Sequence, residues 1–330
     1  MTLSSFLRKT ASALAALGTA GCLTWGEGPV TVRDVDGSSD HRIFRIGALT
    51  KVMMEPVLWR LEDSRRIDFD RPVGEFIPES LPPEFDRITL RDLHENRAGL
   101  PMSFATAWRL GDWPYAVGNV LFGTGRDARF DTRAEFFYRL WMPDVRRRVA
   151  RGEAVPSDMG YALMMMAIVG RLGETPEELC RKYLVEPYGL KDTSFNPPSA
   201  ADAARLTPPC AGTEPWLWLR GMAVQETRDG EISGLVGGLC SSASDVLRVA
   251  YVILPHLDRA KAQLESHRYD FGRTVWYQTG TTGGGYGFIG FDPVDRRAVV
   301  ILRNATDRGS EEGLELMEGL TRPGRSKGLR

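Results

Sequence analysis

Phe44-Arg45-Ile46-Gly47-Ala48-Leu49-Thr50-Lys51 is the stretch whose reading decides the fold. It reads as the end of a strand, a Gly turn and the first turn of an apolar helix. That helix runs on through Val52, Met53, Met54, Val57 and Leu58 to about Leu61. Positions three apart share a helix face, so residue 48 and Lys51 stand together in the first turn. The N-terminal N–H groups and aligned peptide dipoles of such a turn favour an anion there. Position 48 itself is Ala.

The stretch resembles the first motif of the serine β-lactamase-like family, which includes class C β-lactamases, penicillin-binding proteins, related esterases and D-aminopeptidases. In that motif, Phe-Arg-Ile-Gly-Ser-x-x-Lys, a nucleophilic Ser opens a buried helix and a Lys follows one turn later. The resemblance implies that Lys51 would lower the cost of removing a hydroxyl proton at position 48. This chain keeps the Lys and lacks the nucleophile, because Ala48 occupies the Ser position.

Two further motifs carry the same resemblance. The family's Tyr-x-Asn, set within Tyr-Ser-Asn-x-Gly-Tyr, matches Pro156-Ser157-Asp158-Met159-Gly160-Tyr161. The position of the Tyr, a partner of the general base, is Pro156, which has no proton to transfer. The position of the substrate-binding Asn is Asp158, which accepts hydrogen bonds but does not donate when ionised. Tyr161 matches the motif's second, structural Tyr. The third motif, Lys/His-Thr-Gly, matches Gln278-Thr279-Gly280, followed by Thr281. Gly280 lets a substrate backbone lie against the strand. Neutral Gln278 stands where a cation would meet an anionic substrate group. By resemblance the oxyanion hole would be the backbone N–H groups of Ala48 and Thr281, which need no particular side chain.

The resemblance thus implies a site with Lys51 and Asp158 as its remaining catalytic-type groups. Ala48, Gln278, Thr279, Gly280 and Thr281 would line the ligand. Lys51 and Asp158 are expected to form an ion pair that neutralises itself rather than a new catalytic dyad. Thr50 faces away from position 48 on a helix, and the family points the residue at Ser157 away from its cleft, so neither replaces the nucleophile. Three lost side chains point to natural degeneration rather than to one engineered Ser→Ala change.

The resemblance spans about residues 18–305. Asp68-Phe69-Asp70-Arg71-Pro72-Val73 and Phe76-Ile77-Pro78 resemble the segment that follows the first helix in the family. Ile88–His94 reads as a short helix capped by Thr89. Asn96-Arg97-Ala98-Gly99-Leu100-Pro101 sits where the family has His-Thr-Ser-Gly-Leu-Pro. Residues 102–155 are rich in aromatics, among them Trp108, Trp113, Tyr115, Phe122, Phe130, Phe136, Phe137, Tyr138 and Trp141, and read as the core of a helical subdomain. Arg146-Arg147-Arg148 reads as a solvated face.

Met159–Leu172 is a strongly apolar helix, and Thr175-Pro176 caps and opens the next. Val185–Phe195 resembles the family's Pro-Leu-Gly-Met-x-x-Thr segment. Gly234–Asp245 resembles a Gly-Gly-Leu-x-Ser-Thr-x-x-Asp turn leading into a helix over Val246–Leu254 capped by Ser244. Thr274–Gln278 reads as a strand, and Gly285–Phe291 with Ala298–Leu302 as a hairpin around Asp292-Pro293-Val294-Asp295. A helix from Glu311 to Leu320 follows. The expected fold is α+β and β-lactamase/transpeptidase-like: an antiparallel sheet built from both chain ends with flanking helices, plus an inserted helical subdomain. All of 1–330 forms one β-lactamase-related domain, with the helical part at about 76–215 and the sheet part at about 1–75 and 216–330.

Length, at 330 residues, permits a large core, and 42% hydrophobic and 26% charged residues are ordinary for a globular chain. A net charge of -1 gives no electrostatic argument for nucleic acid or an anionic membrane. Cys22, Cys180, Cys210 and Cys240 contain no C-x-x-C pair and read as reduced thiols. The four His form no ligand cluster, so no metal and no cofactor are expected. Arg8, Lys9, the apolar run 11–20 and Ala20-Gly21-Cys22 allow an exported lipoprotein with lipidated Cys22. Leu3, Phe6, Leu7, Leu14 and Leu17 on one stripe allow a structural helix instead, followed by strands at Cys22–Trp25 and Val30–Val32. We adopt the helix, and with it a cytoplasmic location. No run of about 18 apolar residues marks a transmembrane span.

Three functions are compatible with this reading. The first is a catalytically impaired member that binds a peptide-like or acyl ligand. The second is an active serine hydrolase of the esterase, D-aminopeptidase or β-lactamase type, if Ala48 replaces a native Ser. The third is a structural or interaction protein with a filled cleft.

Overall fold

The computed structural model describes residues 21–27, 32–33, 42–102, 132–152, 154–195, 205–207, 231–282, 285–304 and 310–322. Strands are β1 Gly21–Glu27, β2 Val32–Arg33, β3 Phe44–Arg45, β4 Ser194–Phe195, β5 Leu239–Ser241, β6 Glu265–Arg268, β7 Thr274–Thr282, β8 Gly285–Asp292 and β9 Arg297–Arg303. The helices used below are α1 Leu49–Met53, α2 Glu55–Asp63, α3 Leu90–His94, α4 Arg133–Leu140, α5 Pro143–Arg151, α6 Asp158–Leu172, α7 Pro176–Cys180, α8 Ala243–Ile253 and α9 Glu311–Thr321. The chain divides into two units: residues 1–53, 185–226 and 239–330, and residues 54–184 with 227–238.

The first unit is built on an antiparallel six-stranded sheet in the order β2-β1-β9-β8-β7-β6. Chain ends meet here, with Gly21 opposite Arg303 and Glu27 opposite Arg297. β8 is buried along its whole length, as a central strand covered on both faces must be. Its glycines make that possible. A Cβ on Gly287 would lie 2.6 Å from Leu49 Cδ1 of α1, and one on Gly290 would lie 2.2 Å from Met317 Sδ of α9. Residues of unlike parity face opposite sides of a strand, so each glycine admits a different helix. On the α9 side, Val275, Phe288, Val299, Ile301, Leu316, Met317 and Leu320 form one cluster. Burying each such side chain contributes about 1.5–3 kcal/mol.

A small sheet in the order β3-β5-β4 completes this unit. Beside it the Asp245 carboxylate accepts the backbone N–H groups of Lys191 and Asp192 at 3.0 and 2.7 Å and the Thr193 hydroxyl at 2.9 Å. Three donors on one buried carboxylate tie residues 191–193 to the start of α8.

The second unit is helical. α6 buries every residue from Met159 to Ile168, as a helix apolar all round should. α3 and the short Ser233–Gly237 helix pack on it. Thr89, Thr132 and Thr175 each cap a helix with a reciprocal Asp or Glu three residues on. The thiol of Cys180 is pushed up to about 12 by burial, which leaves it unreactive.

Several expectations are corrected. The first helix does not run unbroken to Leu61: it breaks at Met54 between α1 and α2. Pro56 has no N–H, and its ring would meet the Val52 carbonyl one turn back. The helix α8 is capped by Ser242, whose Oγ accepts from Asp245 N at 3.3 Å, and Ser244 lies inside it. β7 extends past Gln278 to Thr282, because the pairing with β8 continues to Thr282 opposite Gly285. Phe136 and Phe137 are buried as expected, whereas Tyr138 and Trp141 are exposed on the other face of their helical turn. Arg146 is half-buried and forks onto Glu84 at 2.8–3.0 Å. Residues 1–20, Val30, Thr31, Trp108, Trp113, Tyr115, Phe122, Phe130 and Cys210 lie outside the described residues. Among those described, no helix is long and apolar enough to cross a membrane.

Candidate functional site

Gly47 and Gly280 determine how α1 begins. Gly47 turns the chain in the left-handed region at φ 53, which favours glycine. A Cβ there would stand 2.7 Å from the Thr281 carbonyl oxygen. A Cβ on Gly280 would stand 2.3 Å from Ile46 O and 3.0 Å from Ala48 N. β7 therefore lies directly against the turn that carries Ala48, with no side chain between them. That packing is a demand of the fold itself, whatever lies beyond the strand.

The turn then winds tightly. Leu49 N donates to Ile46 O at 3.2 Å, Thr50 N to Gly47 O at 2.8 Å and Lys51 N to Ala48 O at 3.2 Å, all three-residue closures. Thr50 is fully buried, and its hydroxyl accepts from Leu239 N at 3.2 Å, which ties α1 to β5. Lys51 is buried at 6% exposure and Ala48 half-buried. Gln278 and Thr279 are half-buried, Gly280 buried and Thr281 exposed. Within this unit the structure thus gathers Ala48, Gly280 and Thr281 through their backbones. At position 48 itself the turn carries only a methyl group.

Pro156 and Asp158 belong to the second unit, at the start of α6. Ser157 holds that start. Its Oγ accepts from Gly160 N at 2.9 Å and donates to Pro101 O at 2.6 Å. Asn96 Oδ1 accepts from Ser157 N at 3.0 Å, and Asn96 O from Val155 N at 3.1 Å. Asn96 does this from a left-handed φ of 58, which Asn tolerates better than most residues. Asp158 is half-buried, and its N donates to Met102 O at 2.9 Å. Pro156 is exposed. Ser157, buried at 4% and engaged on both sides of its oxygen, serves as a cap.

One polar cluster escaped the sequence reading. Glu55 is fully buried, and its carboxylate meets His94 Nε2 at 2.9 and 3.1 Å and Trp59 Nε1 at 2.9 Å. A signal was present: Glu55 is a lone charge in the apolar run from Val52 to Leu58, and a buried charge needs a partner. The partner is 39 positions away, so no local pattern names it.

With this geometry in hand, known proteins can be compared. The beta-lactamase family model matches residues 23–317. A beta-lactamase of Providencia stuartii is 20% identical over 164 residues, which is 50% of this chain and 37% of that relative's length. Among solved structures, a class C beta lactamase from Rhodobacter sphaeroides is 17% identical with a TM-score of 0.67, over 94% of this chain and 97% of that one. The D-amino acid amidase from Ochrobactrum anthropi SV3, complexed with D-phenylalanine, is 17% identical with a TM-score of 0.70, over 96% and 99%. An octameric penicillin-binding protein homologue from Pyrococcus abyssi gives 18% and 0.69, over 96% and 77%. At such identities the structural likeness is one of fold, and the fold is the α+β one expected. The family match covers most of the chain, from β1 to α9, and takes in the Gly47–Ala48 turn, the start of α6 and the Gln278–Gly280 strand: the chain belongs to the beta-lactamase family.

Proposed function

We propose that this chain is a family member without acyl-enzyme chemistry that binds a peptide-like or acyl ligand. The observation that carries the reading is Ala48 at the first turn of a buried helix packed against β7. A methyl group has no proton to lose and no electron pair to attack with. Ala48, Gln278, Thr279, Gly280 and Thr281, all in the sheet unit, are the residues to which we assign the ligand, with Lys51 on the same turn as Ala48. Pro156 removes a proton relay, and Gln278 offers hydrogen bonds but no positive charge. A neutral amide or ester group suits Gln278 better than a carboxylate does. A fold neighbour, the D-amino acid amidase, solved with L-phenylalanine amide supports a small ligand of this kind.

The test is intact-protein mass spectrometry after incubation with a fluorophosphonate and with a β-lactam. No mass increase is expected, because loss of the nucleophile in another Ser hydrolase costs about a million-fold in turnover. A stoichiometric adduct on any residue overturns the reading. Ala48→Ser by itself is expected to hydrolyse a p-nitrophenyl ester roughly 10²–10⁴-fold below ordinary enzyme rates, since a positioned acid–base partner is still absent. Ordinary rates in that variant would make Lys51 a sufficient base.

A further inference from the structure

The core of the helical unit holds a carboxylate and an imidazole that the proposed function does not use. Glu55 opens α2 and is 0% exposed, while His94 closes α3 and is 9% exposed. Nε2 of His94 lies 2.9 Å from Glu55 Oε1 and 3.1 Å from Oε2, and Trp59 Nε1 donates to Oε2 at 2.9 Å. An indole N–H can only donate, so Glu55 Oε2 acts as an acceptor. With the carboxyl ionised, its other oxygen is an acceptor too, and His94 carries the proton on Nε2. The ring meets Phe69 edge-on, 6.1 Å between centroids.

The other charged and titratable groups facing this ring can be named. Glu62 on α2 and Glu95 just past α3 both add negative charge, and each is engaged by an arginine, Arg91 and Arg97 respectively. Tyr161 on α6 is 1% exposed, and its hydroxyl has no hydrogen-bond partner among the described residues. Burial and the Glu55 charge hold its ionisation well above the usual range, so it stays neutral. A neutral imidazole would leave Glu55 as a net buried charge, which is costly. An imidazolium makes the pair neutral as a whole.

We propose that Glu55 and His94 form a buried carboxylate–imidazolium lock between α2 and α3, closed at neutral pH and released as the imidazolium proton leaves in alkali. Burial by itself would make the imidazolium easier to deprotonate. The charge and hydrogen bond of Glu55, with Glu95 and Glu62 behind it, outweigh that and hold the proton above the ordinary value of 6.5. A raised His contributes its full stability below the unfolded value, about pH 6.5, and loses it as pH rises through the folded one. The window is therefore from about pH 6.5 upward.

The full chain has only four His, at 41, 94, 256 and 267. Their rings can be followed by nitrogen-15 NMR against pH, with His41→Gln, His256→Gln and His267→Gln identifying His94 by elimination. His94 is expected to be doubly protonated at pH 6 and to titrate above the ordinary 6.5. A singly protonated ring at pH 6 overturns the lock. A second measurement is Tm between pH 5 and 9 for the wild type, His94→Leu and the double variant Glu55→Met/His94→Leu. Wild-type Tm should fall above pH 6.5 relative to the double variant. The single variant should melt roughly 10 °C below the double one, because it strands the carboxylate. Parallel wild-type and double-variant profiles, or a single variant as stable as the double one, overturn the proposal.

Discussion

At the start of α1 the chain is held by what is missing, and at the start of α6 by what is present. Gly47 and Gly280 let β7 touch the turn at Ala48 because neither has a Cβ. Ser157 and Asn96 hold the other turn through four hydrogen bonds of 2.6–3.1 Å. These two starts carry the stretches that resemble the family's first and second motifs, and each has a backbone held in place although Ala48 and Pro156 bring no reactive group. Backbone and side chain in a motif answer to separate physical demands. The Gly47 turn packs on β7 through its backbone, whatever side chain stands at position 48.

The comparison can be broken at either turn. Gly280→Val is expected to have the largest effect, because its Cβ would lie 2.3 Å from the Ile46 carbonyl, and neither backbone can move aside cheaply. A loss of about 4 kcal/mol or more, seen as insoluble or unfolded protein on expression, is the expected outcome. A soluble variant with wild-type Tm would show that β7 does not press on the turn. Ser157→Ala should cost less, about 1–2 kcal/mol in urea unfolding, since one cap and one bond to Pro101 O are lost while Asn96 still grips the loop. An unchanged urea midpoint would mean that Asn96 alone suffices. Gly170→Ala sharpens the contrast as a glycine with no such duty. It is exposed on α6, and an added Cβ would meet Phe76 O at an ordinary 3.8 Å, so the change should stabilise by about 0.5–1 kcal/mol. Destabilisation there would mark a packing role for its bare backbone.

What was legible in the sequence was what short spacing encodes. The Gly47 turn, the Thr89 and Thr175 caps and the hairpin at residues 292–295 each depend on residues within a few positions of one another. The α8 cap depends on the same kind of signal, and there the correct residue is the one with the better spacing: Ser242 has Asp245 three residues on, whereas Ser244 has Leu247. Pro56 likewise announces the break at Met54 inside an apolar run. The Glu55–His94 contact was not legible, because a pair 39 residues apart leaves no periodic trace. Among the aromatics, composition identifies a core but not its orientation, so it cannot separate Phe136 from Tyr138, which face opposite ways. For the candidate site, the motif positions were legible as residue types, and the glycine contacts that shape the first of them were not.

The pairing of β1 with β9 also sets an order of events during synthesis. Glu27 leaves the ribosome long before its partner Arg297. At about 5–20 residues per second the wait is roughly 15–50 s. Over that time the helical unit, nearly contiguous from 54 to 184, can gather its own core. The pairing of β1 with β9, by contrast, joins distant parts of the chain and must close last, and such contacts fold slowly. A nascent chain of this protein therefore carries the β9-facing edge of β1 open through most of its translation, and that edge is where a chaperone would have the longest opportunity to act.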